Sequence, residues 1–258
     1  MSTQPATTED ILGFPVTPMR QSACRDLVAS WLEAPGTKPR VFACANPHSL
    51  HVARSNQAFR EALIGADLLT PDGVGIVLGS RLLGGGISRR ITGYDIFEDT
   101  CAMLSARRGS CFFLGSSEAV LSKIRARMAR DYPRITVAGT YSPPFRARFS
   151  QAENAAMIEA VNHAKPDVLW VGMTAPKQEI WLHRHRDQLD VRFAGAIGAV
   201  FDFYAGTVPR APAVIQHMGL EWLPRLLRQP RRLWRRNFIS NPAFMVQIMR
   251  QKRQDQGA

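Results

Sequence analysis

A single carboxylate in a tight loop is the first group in this sequence that could do chemistry. The loop reads T-P-D-G-V-G over 70–75, and it places Asp72 between Pro71 and Gly73 just beyond an apolar run. A carboxylate so held can take a proton from a ligand hydroxyl as a general base. The same placement also suits an acid that caps the helix to follow. Eighteen residues further on, Arg89 and Arg90 precede I-T-G-Y-D. An arginine there could clamp a diphosphate through two parallel hydrogen bonds, or the pair could be ordinary solvated loop residues. The stretch V-G-M-T-A-P-K-Q-E over 171–179 ends an apolar run in Gly172, continues through Met173, and sets Pro176 where a first helical turn would begin. That would deliver Lys177, Gln178 and Glu179 either to a ligand edge or simply to a helix surface. Further on, G-A-I-G-A-V-F-D-F-Y-A-G over 195–206 carries Asp202 among aromatics, as a candidate acceptor toward ribose or base or as a paired structural acid.

Several chemistries are absent. The six histidines form no metal set: His183 and His185 are two apart, which on a helix puts them on different faces, and there is no H-E-x-x-H. No D-x-D triplet is present to hold a cation against a diphosphate, so the acids Asp95, Glu98 and Asp99 read more simply as the first turns of a helix. Neither G-x-S-x-G nor G-x-x-x-x-G-K-[ST] occurs. The run Gly73 to Gly79 approaches a dinucleotide fingerprint, but its last spacing is one residue too long. The expectation is chemistry without metal or cofactor. Four dispersed cysteines with no C-x-x-C argue against zinc and disulfides and fit a reducing compartment.

These groups need elements to position them. Apolar segments at 40–45, 66–70, 110–114, 134–138, 167–172 and 191–196 alternate with helical patterns at 47–64, 94–107, 117–131, 150–163 and 176–189. Near-continuous apolar runs such as C-F-F-L-G and V-L-W-V-G suit strands covered on both faces. The alternation predicts an α/β, Rossmann-like, mostly parallel sheet with helices on both faces. In such sheets ligands bind beyond the carboxyl ends of the strands, where helix N-termini present N–H groups. The loops to watch are therefore 46–49, 71–75, 115–118, 172–179 and 195–202, which bring in Asn46 and Gly115.

The chain has 258 residues and a formal net charge of +12. From Pro209 onward ten Lys and Arg face two acids, a surplus of eight, interleaved with Trp222, Trp234, Phe238, Ile239 and several leucines. This mixture describes basic amphipathic helices that lie on an anionic membrane surface. No uncharged apolar run is long enough to cross a bilayer, and the N-terminus has neither the basic nor the apolar region of a signal peptide. The expected organisation is a core over 1–208 and a membrane-associating appendage over 209–258.

Taken in order, Asn46-Pro47, T-P-D-G-V-G-I-V with Arg90 after it, V-G-M-T-A-P-K-Q-E, and G-A-V-F-D-F-Y-A-G-T-V-P-R-A-P resemble the WecG/TagA/CpsF glycosyltransferases, family 26, over residues 10–245. The closing L-E-W-L-P-R-L-L-R-Q-P-R-R-L-W-R-R is similar to that family's C-terminal appendage. The resemblance implies inverting, metal-independent transfer of a sugar from a UDP-sugar to a polyprenyl-diphosphate-linked saccharide at the cytoplasmic membrane face. The donor sugar would be N-acetylmannosamine, its uronic acid or glucuronic acid. Carried over, Asp72 is the base that deprotonates the acceptor. Asn46, Arg90 and Gln178 match polar site positions, and Arg225, Arg232 and Arg235 match appendage arginines that approach diphosphates. Gly73, Gly115, Gly172, Met173, Lys177 and Asp202 complete the expected substrate contacts. Cys44 stands where members often have Thr, which leaves the hydroxyl contact there open.

Physical reasoning supports the same chemistry: with no cation, the leaving diphosphate must be stabilised by arginine and helix N-termini. Two other functions fit parts of the sequence. A nucleotide-dependent oxidoreductase fits the fold but not the glycine spacing. A nucleic-acid-binding module fits the basic tail, although that segment's apolar content suits lipid better and no nucleic-acid partner is expected. Self-association into a homo-oligomer is compatible with either.

Overall fold

Six short strands pair in parallel in the order β4-β3-β8-β7-β5-β6 in a computed structural model that describes residues 7–34, 38–210, 234 and 236–256. They are β3 (Arg40–Ala45), β4 (Leu68–Pro71), β5 (Ser110–Gly115), β6 (Thr136–Tyr141), β7 (Val168–Gly172) and β8 (Phe193–Ala196). β4, β7 and β8 are buried at every position, which is why their sequences show no alternation. Two-residue strands β1 (Glu9–Asp10) and β2 (Pro15–Val16) form a separate antiparallel pair.

Crossover connections between the parallel strands distribute the helices over the two faces. One face is covered by α1 (Gln21–Glu33), α5 (Gly93–Arg107), α6 (Glu118–Asp131) and α9 (Val200–Tyr204), which bury Val28, Phe97, Ile124 and Phe201 with Trp170 and Phe193 of the sheet. Phe97 and Phe193 both meet Trp170 edge-on, at centroid distances of 5.4 and 5.8 Å. The other face carries α2 (Pro47–Ala53), α3 (Gln57–Ile64), α4 (Val74–Leu83), α7 (Gln151–Ala164) and α8 (Lys177–His185). The chain thus leaves β5 across one face and β7 across the other, opening a crevice between the carboxyl ends of neighbouring strands.

The helix expected over 47–64 is two helices. Asn56 interrupts it by accepting from the Phe59 N–H and capping α3, because a short polar side chain bonds the backbone best at a helix start. The helix expected over 176–189 ends at His185 and continues as a single 3-10 turn, Arg186–Gln188.

The described part of the expected appendage is docked on the core. A five-residue π-helical turn (Arg236–Ser240) leads into α10 (Asn241–Gln256), which packs on α4 and α2. Phe244 and Ile248 are fully buried there, against Gly79, where a Cβ would already lie 3.2 Å from both side chains.

Gly195 sits in β8 between two large rings, and a Cβ there would come within 2.5 Å of Trp170 and 3.4 Å of Phe42. Gly195→Ala should therefore lower unfolding free energy by about 1–3 kcal/mol in urea denaturation. An unchanged midpoint would contradict this packing.

Candidate active site

The register of β3 on β4 pairs Ala45 with Pro71, so the next residues, Asn46 and Asp72, lie side by side at the sheet's carboxyl edge. The Asp72 N–H donates to the Ala45 carbonyl at 2.7 Å, carrying the ladder past the last strand pair. The segment with Arg90 is fastened to the same strand end: the Ile91 N–H donates to the Pro71 carbonyl at 2.7 Å, and the buried Thr70 hydroxyl donates to the Ile91 carbonyl at 2.9 Å. Arg90 is half-buried and Arg89 exposed. Three residues far apart in sequence are thus held at one place by backbone bonds.

Each neighbour fixes part of this corner. α4 starts from Gly73, with φ 103°, an open backbone angle that glycine tolerates best. Pro47 packs on Gly75, where a Cβ would fall 2.5 Å from the ring. Asn46 caps α2 in a reciprocal box: its Oδ1 accepts from the Ser49 N–H at 2.9 Å, and its own N–H donates to Ser49 Oγ at 2.8 Å. Capping consumes the carbonyl side of the amide and leaves its NH₂ as the donor for a ligand. Next to Asn46, His48 Nδ1 lies 2.9 Å from the hydroxyl of Ser240. The Cys44 thiol lies 3.7 Å from Thr70 Oγ1, and burial followed by the Asp72 charge pushes its pKa well up. It is a neutral floor, and the one neighbouring hydroxyl is spent on Ile91.

About three strand spacings away, on the order of 15 Å, the ends of β7 and β5 form the second half of the edge. Gly115 (φ +121°) and Gly172 pair across the strands, and a Cβ on Gly115 would come 2.5 Å from the Gly172 carbonyl oxygen. After Gly115, Ser116 (φ 60°) and the α6 cap Ser117 turn the chain into the helix, which points N–H groups into the crevice. Met173 turns its side chain into the apolar cluster of α7 and α8. Lys177 donates to the Arg146 carbonyl at 2.7 Å and lies 4.0 Å over the Phe149 ring, so it fastens the loop after β6, and burial lowers its pKa. Asp202 Oδ1 accepts from Thr207 Oγ1 at 3.3 Å while its carbonyl takes the Thr207 and Val208 N–H groups. Of its two readings the structural one has a visible partner. Arg225, Arg232 and Arg235 lie outside the described residues.

Gln178 does not stand on a helix surface. It is 5 % exposed; its Oε1 accepts from the Met173 N–H at 3.2 Å and its Nε2 donates to Glu179 Oε1 at 2.8 Å. Glu179 is 7 % exposed, and its Oε2 has no hydrogen-bond partner among the described residues. Burial pushes its pKa up to about 7, with the Gln178 amide opposing. Sequence reading took Glu179 as one more polar residue of the motif. The available signal was its position three residues before Leu182, on the stripe that α8 buries. Among the described residues no group of three or more His, Cys, Asp or Glu side chains is placed to hold a metal ion.

Comparison with known proteins adds to this geometry. A model of the Glycosyl transferase WecG/TagA/CpsF family matches residues 9–258. A protein of Bacillus spizizenii is 32 % identical over 98 % of this chain and 93 % of its own, and is named N-acetylglucosaminyldiphosphoundecaprenol N-acetyl-beta-D-mannosaminyltransferase. Proteins of the same name from Bacillus subtilis and Staphylococcus aureus are each 27 % identical, over 83 % and 95 % of this chain and 80 % and 93 % of theirs.

The buried Glu179 gives a pH signature. A carboxyl whose folded pKa is raised stays protonated in the fold while the unfolded chain releases its proton. Stability therefore falls as pH rises from the ordinary value of 4.5 through about 7, and the whole cost is present above that. Glu179→Gln keeps an acceptor for Gln178 and removes the buried charge. It should raise unfolding free energy at pH 8 by about 1–3 kcal/mol, and the gain should shrink toward pH 5. A gain equal at both pH values would refute a buried, titrating carboxylate.

Proposed function

We propose, from the premise that the chain belongs to the WecG/TagA/CpsF family of glycosyl transferases, that it moves N-acetylmannosamine from a UDP-sugar to a saccharide on a polyprenyl diphosphate. The observation that carries the reading is the β3–β4 register, which sets a carboxylate, an amide and an arginine at one strand edge. The relatives' names favour N-acetylmannosamine over the uronic acids as donor sugar, and N-acetylglucosaminyl-diphosphoundecaprenol as acceptor.

The nucleotide fits the crevice between β5 and β7, where α6 offers its N-terminus to a diphosphate; Gly115 and Gly172 are needed there for the close packing of the two strand ends and of Phe201. The sugar then extends along the strand ends toward Asp72. Asp72 takes the proton of the acceptor hydroxyl as its oxygen bonds to the anomeric carbon. The bond from that carbon to the diphosphate breaks on the opposite side, with inversion, and UDP leaves with the electron pair. Arg90 and the helix N-terminus balance the charge growing on the diphosphate. Asn46, its carbonyl committed to the cap, donates its NH₂ to a substrate oxygen.

A lipid-linked acceptor requires the site to reach a membrane. Among the described residues no helix is long and apolar enough to cross one. The packed pair α4 and α10 leaves Val74, Leu78, Val246 and Met249 exposed, and Trp234, Phe238 and Ile239 precede α10 in the same state. Apolar groups beside a basic segment suit the interface of anionic lipids, and α4 begins two residues after Asp72. The reading places the protein on the cytoplasmic face, peripherally, with the arginines of the 209–258 segment near the acceptor diphosphate.

Asp72→Asn should cut transfer from UDP-N-acetylmannosamine to the lipid acceptor at least a hundredfold, while UDP still raises the thermal unfolding temperature. Turnover within threefold of wild type would assign the base elsewhere. Treatment with EDTA should leave turnover within twofold, and dependence on restored magnesium or manganese would overturn the charge balance assigned to Arg90. Replacing the exposed Phe238 and Ile239 by serine, which leaves the buried Phe244 and Ile248 in place, should weaken sedimentation with anionic vesicles, and unchanged binding would refute the membrane role of that segment.

A further inference from the structure

Glu179 is poorly explained as scaffolding. It is buried, one carboxylate oxygen has no partner among the described residues, and burial makes its charge a burden above neutral pH. A glutamine or an apolar residue would serve the packing of α8 better. Buried groups that violate packing and pairing rules concentrate where function requires them.

Among the described residues its side-chain partner is Gln178. That carboxamide lies between the ends of β7 and β8: a Cβ on Gly198 would come 3.2 Å from its oxygen and 3.3 Å from its nitrogen. The oxygen faces the Met173 N–H, and the nitrogen faces Glu179. We infer that Glu179 is a positioning residue of the transferase site, holding the Gln178 carboxamide in one orientation so that its second Nε2 hydrogen is presented to the substrate. This rests on the reading that places Gln178 in that site. Turning the amide over would set NH₂ against the Met173 N–H and oxygen against the carboxylate, two repulsions in a buried place. Without an acceptor at 179, the nitrogen side loses its anchor and the amide can rotate about its terminal bond. Glu179 also lies close enough to Cys44 to act on its thiol, as Asp72 does, so its carboxyl and that of Asp72 bear on the same neighbouring group.

The test compares Glu179→Met, which removes the acceptor at similar volume, with Glu179→Gln, which keeps an acceptor oxygen. Both are measured at pH 8 for steady-state transfer, for thermal unfolding and for the side-chain amide signals of Gln178 in ¹⁵N-resolved NMR, assigned by their loss in Gln178→Leu. The inference expects Glu179→Met to lower kcat/KM at least tenfold and Glu179→Gln to fall between it and wild type. Neither should have a lower unfolding temperature than wild type, and the Gln178 signals should move toward free-amide values in Glu179→Met. Activity of Glu179→Met within twofold of wild type would overturn the inference. So would parallel loss of activity and unfolding temperature in both variants, which marks a structural residue. Should the wild-type protein transfer no N-acetylmannosamine, the functional reading falls on its own. The NMR arm then decides: unmoved Gln178 signals overturn the positioning role, and displaced ones uphold it.

Discussion

Two neighbouring parallel strands that stop at the same level are what the rest of this molecule depends on. A parallel pair cannot be closed by a short turn, so β3 and β4 must be joined by a crossover, here α2 and α3, and both strands then end at the same edge. Once Ala45 pairs with Pro71, the positions of Asn46 and Asp72 follow without further adjustment. A slip of one residue would turn both side chains to the other face of the sheet. The Asp72 N–H on the Ala45 carbonyl and the Ile91 N–H on the Pro71 carbonyl close that corner by main-chain bonds, which no side-chain substitution removes directly.

The two edges of the sheet treat carboxylates in opposite ways. At the amino edge, Asp67 accepts from the Val41 N–H at 2.8 Å and pairs with Arg40 and Arg186. Asp167 likewise takes the Ser110 N–H at 2.8 Å and faces Arg107 and Arg192. Both are rivets, partnered by arginines and fastened to strand starts. At the carboxyl edge Glu179 is buried with one oxygen unpartnered among the described residues, and Asp72 directly follows the end of β4. The first pair fastens strand starts, and the second lies at the candidate site. The division is the one expected of an open parallel sheet, whose carboxyl edge alone gathers helix N-termini and loops into a site.

Strand placement was legible because strands covered on both faces write themselves as continuous apolar runs. β3 falls on 40–45 as read, and β5, β7 and β8 are displaced by no more than two residues at either end. The break at Asn56 was missed because apolar periodicity continues across it and only a capping bond ends the first helix. α1 escaped notice because arginine, aspartate and serine dilute its apolar face, although Cys24, Val28 and Leu32 recur on it. In the site, the residue types were legible and their partners were not. That Lys177 fastens the loop after β6, that Met173 faces the core, and that Gln178 leans on Glu179 are facts of packing that no local spacing encodes. The glycines divide the same way: a turn at Gly73 could be inferred, whereas the contact of Gly115 with Gly172 exists only across two strands.

The C-terminal helix bears on the Asn46–Asp72 corner from behind. Phe244 and Ile248 close on Gly79 and hold α4, whose first turn emerges from the Asp72 loop. Ser240 meets His48, two residues past Asn46, and Pro47 between them is wedged against Gly75. Both strand-end residues are therefore backed by elements on which the last twenty residues press. Fully burying Phe and Ile side chains is worth roughly 1.5–3 kcal/mol each, enough that the helix is part of the folded core rather than an optional addition to it. The inner face of α10 closes on α4 while its outer face and α4 carry the exposed apolar groups, so one pair of helices both supports the Asp72 loop and presents that apolar surface.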